Sequence, residues 1–111
     1  MISIRPATRA DALAFWGRLP PMSFRGLAAV DETGGIVGMA GYYLASGVAV
    51  LWTDHRDGMR PRDILRGAAA VVDLTRRLGI EVVALVEGDA EERAARHFGF
   101  EPAGRLWRLA S

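Results

Sequence analysis

The sequence of 111 residues contains no cysteine and no lysine, so all 14 of its basic residues are arginines. Without cysteine, the chain has no disulfide framework, no thiolate metal site and no cysteine nucleophile. Without lysine, it has no Schiff-base amine, no lysine general base and no P-loop lysine. Asparagine and glutamine are absent as well. We attribute these gaps to a GC-rich genome and assign them no function.

An excess of one charge and long apolar runs are also missing. The formal net charge is +1 and half of the residues are hydrophobic, which argues against nucleic-acid binding and against disorder. No apolar stretch approaches about 18 residues, and residues 1–5 lack the layout of a signal peptide. We therefore expect one domain over residues 1–111, in a soluble cytoplasmic protein that binds neither membrane nor nucleic acid.

Apolar periodicity, capping residues and turn glycines divide the chain into strands and helices. Thr8 and Asp11 have capping-box spacing, and Pro61 suits the first position of a long amphipathic helix. A strand, a crossover helix and a strand form a βαβ unit, which is normally parallel. The predicted elements are a strand at 2–5, a helix from Thr8 to Trp16, strands at 26–30, 36–43 and 48–53, a helix at 61–78, a strand at 80–86, a helix capped by Asp89 and a strand region at 100–109.

These elements predict an α/β (α+β) fold with the order β-α-β-β-β-α-β-α-β. Three antiparallel strands precede a central parallel βαβ pair, and helices cover both faces of the mixed sheet. This order resembles the fold of the GNAT superfamily of N-acetyltransferases. Three segments carry the resemblance: the opening strand and capped helix at 4–11, the third strand at 36–41, and the Gly-Phe signature at 97–102. The sequence is most similar to short, divergent GNAT-like proteins of phages and prophages, which share a tryptophan at the end of the fourth strand, here Trp52.

The resemblance implies that acetyl-CoA is the co-substrate and lies where the fourth and fifth strands diverge. In this family the backbone of the fourth strand binds the pantetheine amides. The loop before the crossover helix cradles the diphosphate, where backbone N–H groups and the helix dipole favour anions. The cofactor-binding residues that follow from the resemblance are Leu51, Trp52, Thr53, Gly58, Met59, Arg60, Arg62 and Arg93.

Two positions depart from the family pattern. Pro61 lies in the phosphate loop and lacks an N–H donor, so an arginine is expected to replace it by direct phosphate pairing. Ala95 stands where many relatives carry the tyrosine that protonates the departing thiolate. Asp54 and His55 are the candidate catalytic bases, because a carboxylate or an imidazole can accept the amine proton. The alternative is that both are polar residues that open a loop after a buried strand.

Several other residues have two interpretations. Arg93 either meets a CoA phosphate or pairs with Asp89 one turn away. His97 either faces the cleft or ends the last helix in solvent, and Trp52 either stacks in the cleft or belongs to the core. No histidine spacing predicts a metal site, and no serine lies in a nucleophile elbow. The tryptophan and phenylalanine side chains expected to pack are Trp16, Phe24 and Trp107.

Three hypotheses on function follow. The first is an acyl-CoA-dependent N-acyltransferase that moves an acetyl group to a small-molecule or peptide amine. Residues 20–25 replace the family's second helix, which leaves the acceptor side open. The second hypothesis is a catalytically inactive GNAT-fold binding module associated with phage particle proteins in the virion. The third is a homodimeric structural domain without a ligand, whose sheets pair at the edge formed by residues 100–109.

Overall fold

The computed structural model describes residues 2–104 and 106–109. Strands and helices follow one another in the predicted order as far as the last helix, and residues 17–24 form no helix between the first helix and the second strand. The elements are β1 (Ser3–Pro6), α1 (Arg9–Trp16), β2 (Arg25–Val30), β3 (Ile36–Ala45), β4 (Val48–His55), α2 (Pro61–Arg76), β5 (Val82–Ala84), α3 (Asp89–His97), β6 (Phe100–Ala103) and β7 (Leu106–Leu109).

The strands form a single mixed sheet in the order β1-β2-β3-β4-β5-β7-β6. Neighbouring strands are antiparallel except β4 and β5, which are parallel and are joined by the crossover helix α2. Helix α1 packs on one face of the sheet, and α2 and α3 pack on the other. The predicted α/β class, the helices on both faces and the central parallel βαβ pair are therefore confirmed.

The C-terminal region differs in detail from the prediction. Residues 100–109 form two strands, because Gly104 adopts a φ of +71° and the chain reverses there. Arg105, which belongs to the predicted strand region, lies outside the described residues. The prediction that Asp89 caps α3 is wrong: Gly88 occupies the N-cap position, and Asp89 is the first helical residue.

The predicted capping box at the start of α1 is confirmed. The Thr8 hydroxyl accepts a hydrogen bond from the Asp11 N–H at 3.2 Å, and the Asp11 carboxylate accepts one from the Thr8 N–H at 2.8 Å. The Arg5 guanidinium also donates to both carboxylate oxygens, at 2.6 and 2.8 Å. The hydrogen bond from Arg5, followed by those from Thr8, lowers the pKa of Asp11 to about 2. This pair ties β1 to α1.

Each face of the sheet has its own apolar core. The core under α1 is small and contains Ala12, Phe15, Ala28 and Met39. The larger core, under α2 and α3, contains Ala40, Tyr42, Ala49, Leu51, Val71, Val72, Val82, Ala84, Ala95 and Phe100. Since α2 and α3 both pack on this second face, the space between them lies directly above β4 and β5.

Candidate active site

Strands β4 and β5 pair over only three residues. The pairing runs from Ala49↔Val82 to Leu51↔Ala84, and its last hydrogen bond is donated by the Leu85 N–H to the Leu51 carbonyl at 3.1 Å. β5 ends at Ala84, whereas β4 continues to His55. Backbone groups alternate along a strand, so the N–H and C=O of Thr53 face the gap that β5 leaves. This is the divergence that the resemblance implies.

A cavity of about 320 Å³ lies over this gap, between α2 and α3. Its floor is formed by side chains of β4 that share one face of the sheet, namely Leu51, Thr53 and His55. The α2 wall is mostly apolar, with Ile64, Leu65 and Ala68. A volume of this size falls within the ordinary range for small-molecule sites. The cavity therefore places the open peptide groups of β4 at the bottom of a largely apolar trench.

The N-terminus of α2 lies at one end of this cavity, where Pro61 contributes to the wall. Arg60 is the N-cap residue and provides no side-chain cap, and Pro61 occupies the first helical position without an N–H. The N–H groups of Asp63 and Ile64 both donate to the Arg60 carbonyl. Among the first helical residues, Arg62 is therefore left with an unused N–H, and its side chain is exposed.

The residues of the predicted phosphate loop differ in what they can offer a ligand. Gly58 has a φ of +90° and is exposed, as a tight turn before a helix requires. The side chain of Met59 packs away from the cavity: a Cβ on Gly38 would lie 2.9 Å from its sulfur. Met59 therefore has only its backbone to offer a ligand. Arg60 and Arg62 are exposed beside the helix start, so their guanidinium groups are available to a ligand at this end.

Asp54 and His55 lie on opposite faces of β4, because consecutive side chains of a strand alternate. His55 lines the cavity between α2 and α3. Asp54 faces α1, where its Oδ2 accepts a hydrogen bond from Trp16 Nε1 at 2.8 Å. The structure therefore separates the two candidate bases, and a reacting group on one side of the strand meets only one of them.

Three aromatic rings form a cluster on the α1 side of the sheet, and one of them, Trp16, donates the hydrogen bond to Asp54. The Trp16 and Trp52 ring centroids are 5.3 Å apart, Phe24 and Trp52 are also 5.3 Å apart, and Trp16 and Phe24 are 6.0 Å apart. All three rings are half-buried. The prediction that Trp16 and Phe24 pack is confirmed, because both rings lie against the core under α1, but the bond from Trp16 to Asp54 was not predicted. The alternation of Trp52 and Asp54 on one face of a strand was the available signal.

Arg56 fixes the end of α1 against β4. Its NH2 group donates to the Phe15 carbonyl at 3.1 Å, and its Nε donates to the Ile36 carbonyl at 3.3 Å. The guanidinium carbon also lies 4.8 Å from the centroid of the Phe15 ring. Because Trp16 directly follows Phe15, this contact holds the indole that reaches Asp54. Sequence reasoning gave Arg56 no role.

The last helix supplies the far wall of the cavity. Arg93 and His97 both line it, and both are exposed. Among the described residues, no ion pair joins Arg93 to Asp89. Ala95 is 7% exposed and belongs to the larger core, so this position has no hydroxyl to offer a reaction. Trp107 lies on β7, and the Arg96 guanidinium carbon is 4.9 Å from the centroid of its ring.

The described residues contain no group of three or more metal-ligating side chains placed to hold a metal ion. Within the same residues, none of the helices has the length and apolar character needed to cross a bilayer. The candidate site therefore consists of the gap between β4 and β5 and the cavity above it, with the cluster of Trp16, Phe24 and Trp52 on the opposite face of the sheet.

Comparison with solved structures shows the class of fold. Neighbouring solved structures are GNAT superfamily acetyltransferases, and the chain shares their fold. No protein-family model matches the sequence, and no curated protein matches it significantly.

Three of these structures illustrate the similarity. A GNAT superfamily phosphinothricin acetyltransferase from Sinorhizobium meliloti, in complex with AcCoA, has a TM-score of 0.74 and 17% identity, covering 93% of this chain and 76% of its own. YhbS, a GNAT family N-acetyltransferase from Escherichia coli in complex with CoA, has a TM-score of 0.66 and 17% identity, covering 98% and 82%. A GNAT family acetyltransferase from Staphylococcus aureus has a TM-score of 0.65 and 13% identity, covering 98% of each chain.

Proposed function

We propose that this protein is an acyl-CoA-dependent N-acyltransferase that transfers an acetyl group from acetyl-CoA to an amine. The observation that carries the proposal is the departure of β4 from β5 after Leu51, directly beneath a trench of about 320 Å³. Two of the structures that share this fold hold AcCoA or CoA.

The open edge of β4 suits the amide-bearing arm of an acyl-CoA. The N–H and C=O of Thr53 face the gap and can pair with an amide, as the missing part of β5 would. The apolar α2 wall, with Ile64 and Leu65, excludes water from the arm. Bound acetyl-CoA would supply a thioester, whose carbonyl carbon bonds to the amine nitrogen as its C–S bond breaks.

Arginine side chains suit the diphosphate end of the ligand. Pro61 removes one backbone donor, so the unused N–H of Arg62 and the side chains of Arg60 and Arg62 are the groups that can meet phosphate. Arg93 approaches from the opposite wall, on α3. Gly58 lets the loop turn tightly beside them.

Two bases are available for the proton of the amine, one on each side of β4. An acceptor that approaches from the α1 side meets Asp54, whose carboxylate is oriented by Trp16. An acceptor that approaches through the trench meets His55. Ala95 provides no acid, so the departing thiolate takes its proton from water.

The second candidate is a binding module that keeps the fold without catalysis, of the phage-associated type. Ala95 favours it, because this position lines the trench on α3 and has no proton donor. A dimer through the sheet is a related prediction: β6 is an edge strand, and light scattering of the purified chain measures whether two copies pair there.

The decisive test measures acetyl-CoA binding by calorimetry and thiol release with a panel of amines. The chain has no cysteine, so a thiol reagent reports only free CoA. We expect binding, together with turnover that depends on the amine. Acetyl-CoA binding should weaken several-fold in Arg62→Ala, whereas binding of acetyl-pantetheine, which lacks the diphosphate, should not change.

Each outcome separates the candidates. Binding without thiol release for every amine supports the inactive module. Absence of binding at millimolar acetyl-CoA removes the proposed enzyme, and co-purification with phage particles then tests the binding module.

A further inference from the structure

The cavity between α2 and α3 changes character along its length. On α2, its wall runs from exposed Pro61, through half-buried positions, to buried Val72. β4 shows the same gradient along the floor, from exposed His55 to buried Leu51. The cavity is therefore open at the end where α2 begins and closed at the end that reaches the larger core.

The closed end is lined by apolar side chains from two helices and three strands. Each of these lining residues is at most 7% exposed, and they are Leu51, Ala68, Val72, Ala84, Ala95 and Phe100. Three of them are alanines, so the surrounding elements leave space there that longer side chains would fill. None of these side chains has a polar atom, and a cavity with apolar walls takes up apolar ligands in preference to water.

The amide-bearing arm of an acyl-CoA leaves this end unfilled. Amides that pair with the open N–H and C=O of Thr53 continue the sheet, so they lie in its plane, about 4.8 Å from β4. The closed end lies above that plane, because α2 and α3 pack on one face of the sheet. With the diphosphate at the start of α2, the arm runs along β4 towards Leu51, where β5 joins, and the thioester comes last. The acyl group is therefore the part of the ligand that meets the closed end.

We propose that the closed end binds a straight acyl chain longer than acetyl, carried by the acyl-CoA donor. The inference rests on the proposed function and names the acyl group that the site prefers. An acetyl group ends in one methyl and covers little of this apolar surface, whereas each further methylene buries more of it. The transfer balances as it does for acetyl: the acyl carbon bonds to the amine nitrogen, the C–S bond breaks, the amine proton passes to a base, and the thiolate takes a proton from water.

The walls of the closed end do not suit a charged acyl group. A carboxylate placed among Val72, Ala84 and Phe100 would lose its hydration and find no cation, which costs far more than added methylenes gain. Arg93 also borders the cavity, but its side chain is exposed to solvent on α3. Succinyl-CoA has as many acyl carbons as butyryl-CoA and ends in a carboxylate, so it is a matched negative probe.

The test measures the affinity of the full chain for acetyl-, butyryl-, hexanoyl- and succinyl-CoA by calorimetry. We expect the affinity to rise about 3- to 4-fold for each added methylene, which makes hexanoyl-CoA about 100-fold tighter than acetyl-CoA. Succinyl-CoA should bind no more tightly than acetyl-CoA. Thiol release in the presence of an amine that gives turnover should favour hexanoyl-CoA over acetyl-CoA at low donor concentration.

Two leucine variants separate the closed end from the rest of α2. Ala68→Leu places added carbons in the closed end, so the preference for hexanoyl-CoA over acetyl-CoA should fall at least about 10-fold. Ala70→Leu makes the same exchange on α2 outside the cavity and should leave the preference intact. A general loss of packing would lower the affinity for every donor by the same factor and would not change the preference.

The outcomes distinguish the acyl pocket from the proposed enzyme. Equal affinities for acetyl-, butyryl- and hexanoyl-CoA, or equal affinities for succinyl- and butyryl-CoA, would overturn the pocket and leave the enzyme in place. Binding of hexanoyl-CoA without thiol release, beside turnover of acetyl-CoA, would overturn its role as a donor. Absence of binding for all four would remove the enzyme together with its acyl pocket. These comparisons use the unaltered chain, so they decide the matter even if Ala68→Leu does not fold.

Discussion

The two edges of β4 differ sharply in how far they are paired. Against β3, the pairing runs over the full strand, from Ala45↔Val48 to Gly38↔His55. Against β5, it covers only Ala49 to Leu51. The same strand is therefore held in place along one edge and left with open peptide groups along part of the other. Pairing on the closed edge makes the open edge rigid enough to serve as a binding surface.

Close packing at one glycine marks the closed edge, and the direction of the chain limits pairing on the open edge. At Gly41, the missing side chain lets β2 and the Trp52 ring approach β3 closely. On the open edge, the chain leaves the sheet after Leu85 and enters α3 at Gly88, whose φ is +86°. β5 is consequently too short to cover Thr53.

The largest expected effect is a loss of stability caused by a substitution on the closed edge of β4. In Gly41→Ala, the added Cβ would lie 2.5 Å from the Arg25 carbonyl and 2.9 Å from the Trp52 ring. We expect a loss of about 1–3 kcal/mol in the free energy of unfolding, because strand backbone has to move. Urea unfolding followed by circular dichroism measures it.

Gly67→Ala is the matched control for that change. Gly67 lies within α2, and a Cβ there meets no atom within 4 Å. The same added methyl group should stabilise the chain by about 0.5–1 kcal/mol through helix propensity. An unchanged unfolding curve for Gly41→Ala would mean that the closed edge is not tightly held.

The next largest expected effect is on the affinity for acetyl-CoA at the open edge of β4. Thr53→Pro removes an N–H that points to the gap and takes no part in the pairing with β3, so the sheet should tolerate it. We expect at least about a 10-fold weaker affinity for acetyl-CoA than in Thr53→Val, which keeps the N–H and the branched shape. Calorimetry compares the two variants. Equal affinities would show that the ligand does not use this edge.

Sequence reasoning predicted the fold well because its signals are local. The apolar periodicity of 61–78 and the spacing of Thr8 and Asp11 act within one helix each, and the structure confirms α2 and the capping box. The split of 100–109 into β6 and β7 was missed, since one glycine at 104 decides it.

The site was harder to predict, because it depends on contacts between distant residues. Asp54 and His55 are adjacent in sequence and were treated as one candidate pair, but strand alternation sends them to opposite faces. The bond from Trp16 to Asp54 spans 38 positions. Met59 belongs to the predicted phosphate loop, yet its side chain packs on Gly38. The alternation along β4 could have been read from the sequence, whereas no pattern within a single element contains the contacts of Trp16 and Met59.

The smallest expected effect is on the free energy of unfolding in acid. It tests whether the acid-sensitive part of the fold is the region around β1 and α1, and not the open edge of β4. The pKa of Asp11 is about 2 in the folded chain and has an ordinary value of 3.8, so its ionised form stabilises the fold above about pH 4. That contribution should be lost as the pH falls from 4 towards 2. Because Arg5 is 44% exposed and screened by solvent, we expect the ionised carboxylate to contribute about 1 kcal/mol to the free energy of unfolding rather than the full value of the shift.

Urea unfolding at a series of pH values should show Asp11→Asn less stable by this amount at pH 7 and equal to the unaltered chain near pH 2. Asp73→Asn, an exposed carboxylate on α2, should show no such convergence. A difference for Asp11→Asn that stays constant from pH 7 to 2 would place the acid-sensitive group elsewhere, and the region around β4 would then be the next to examine.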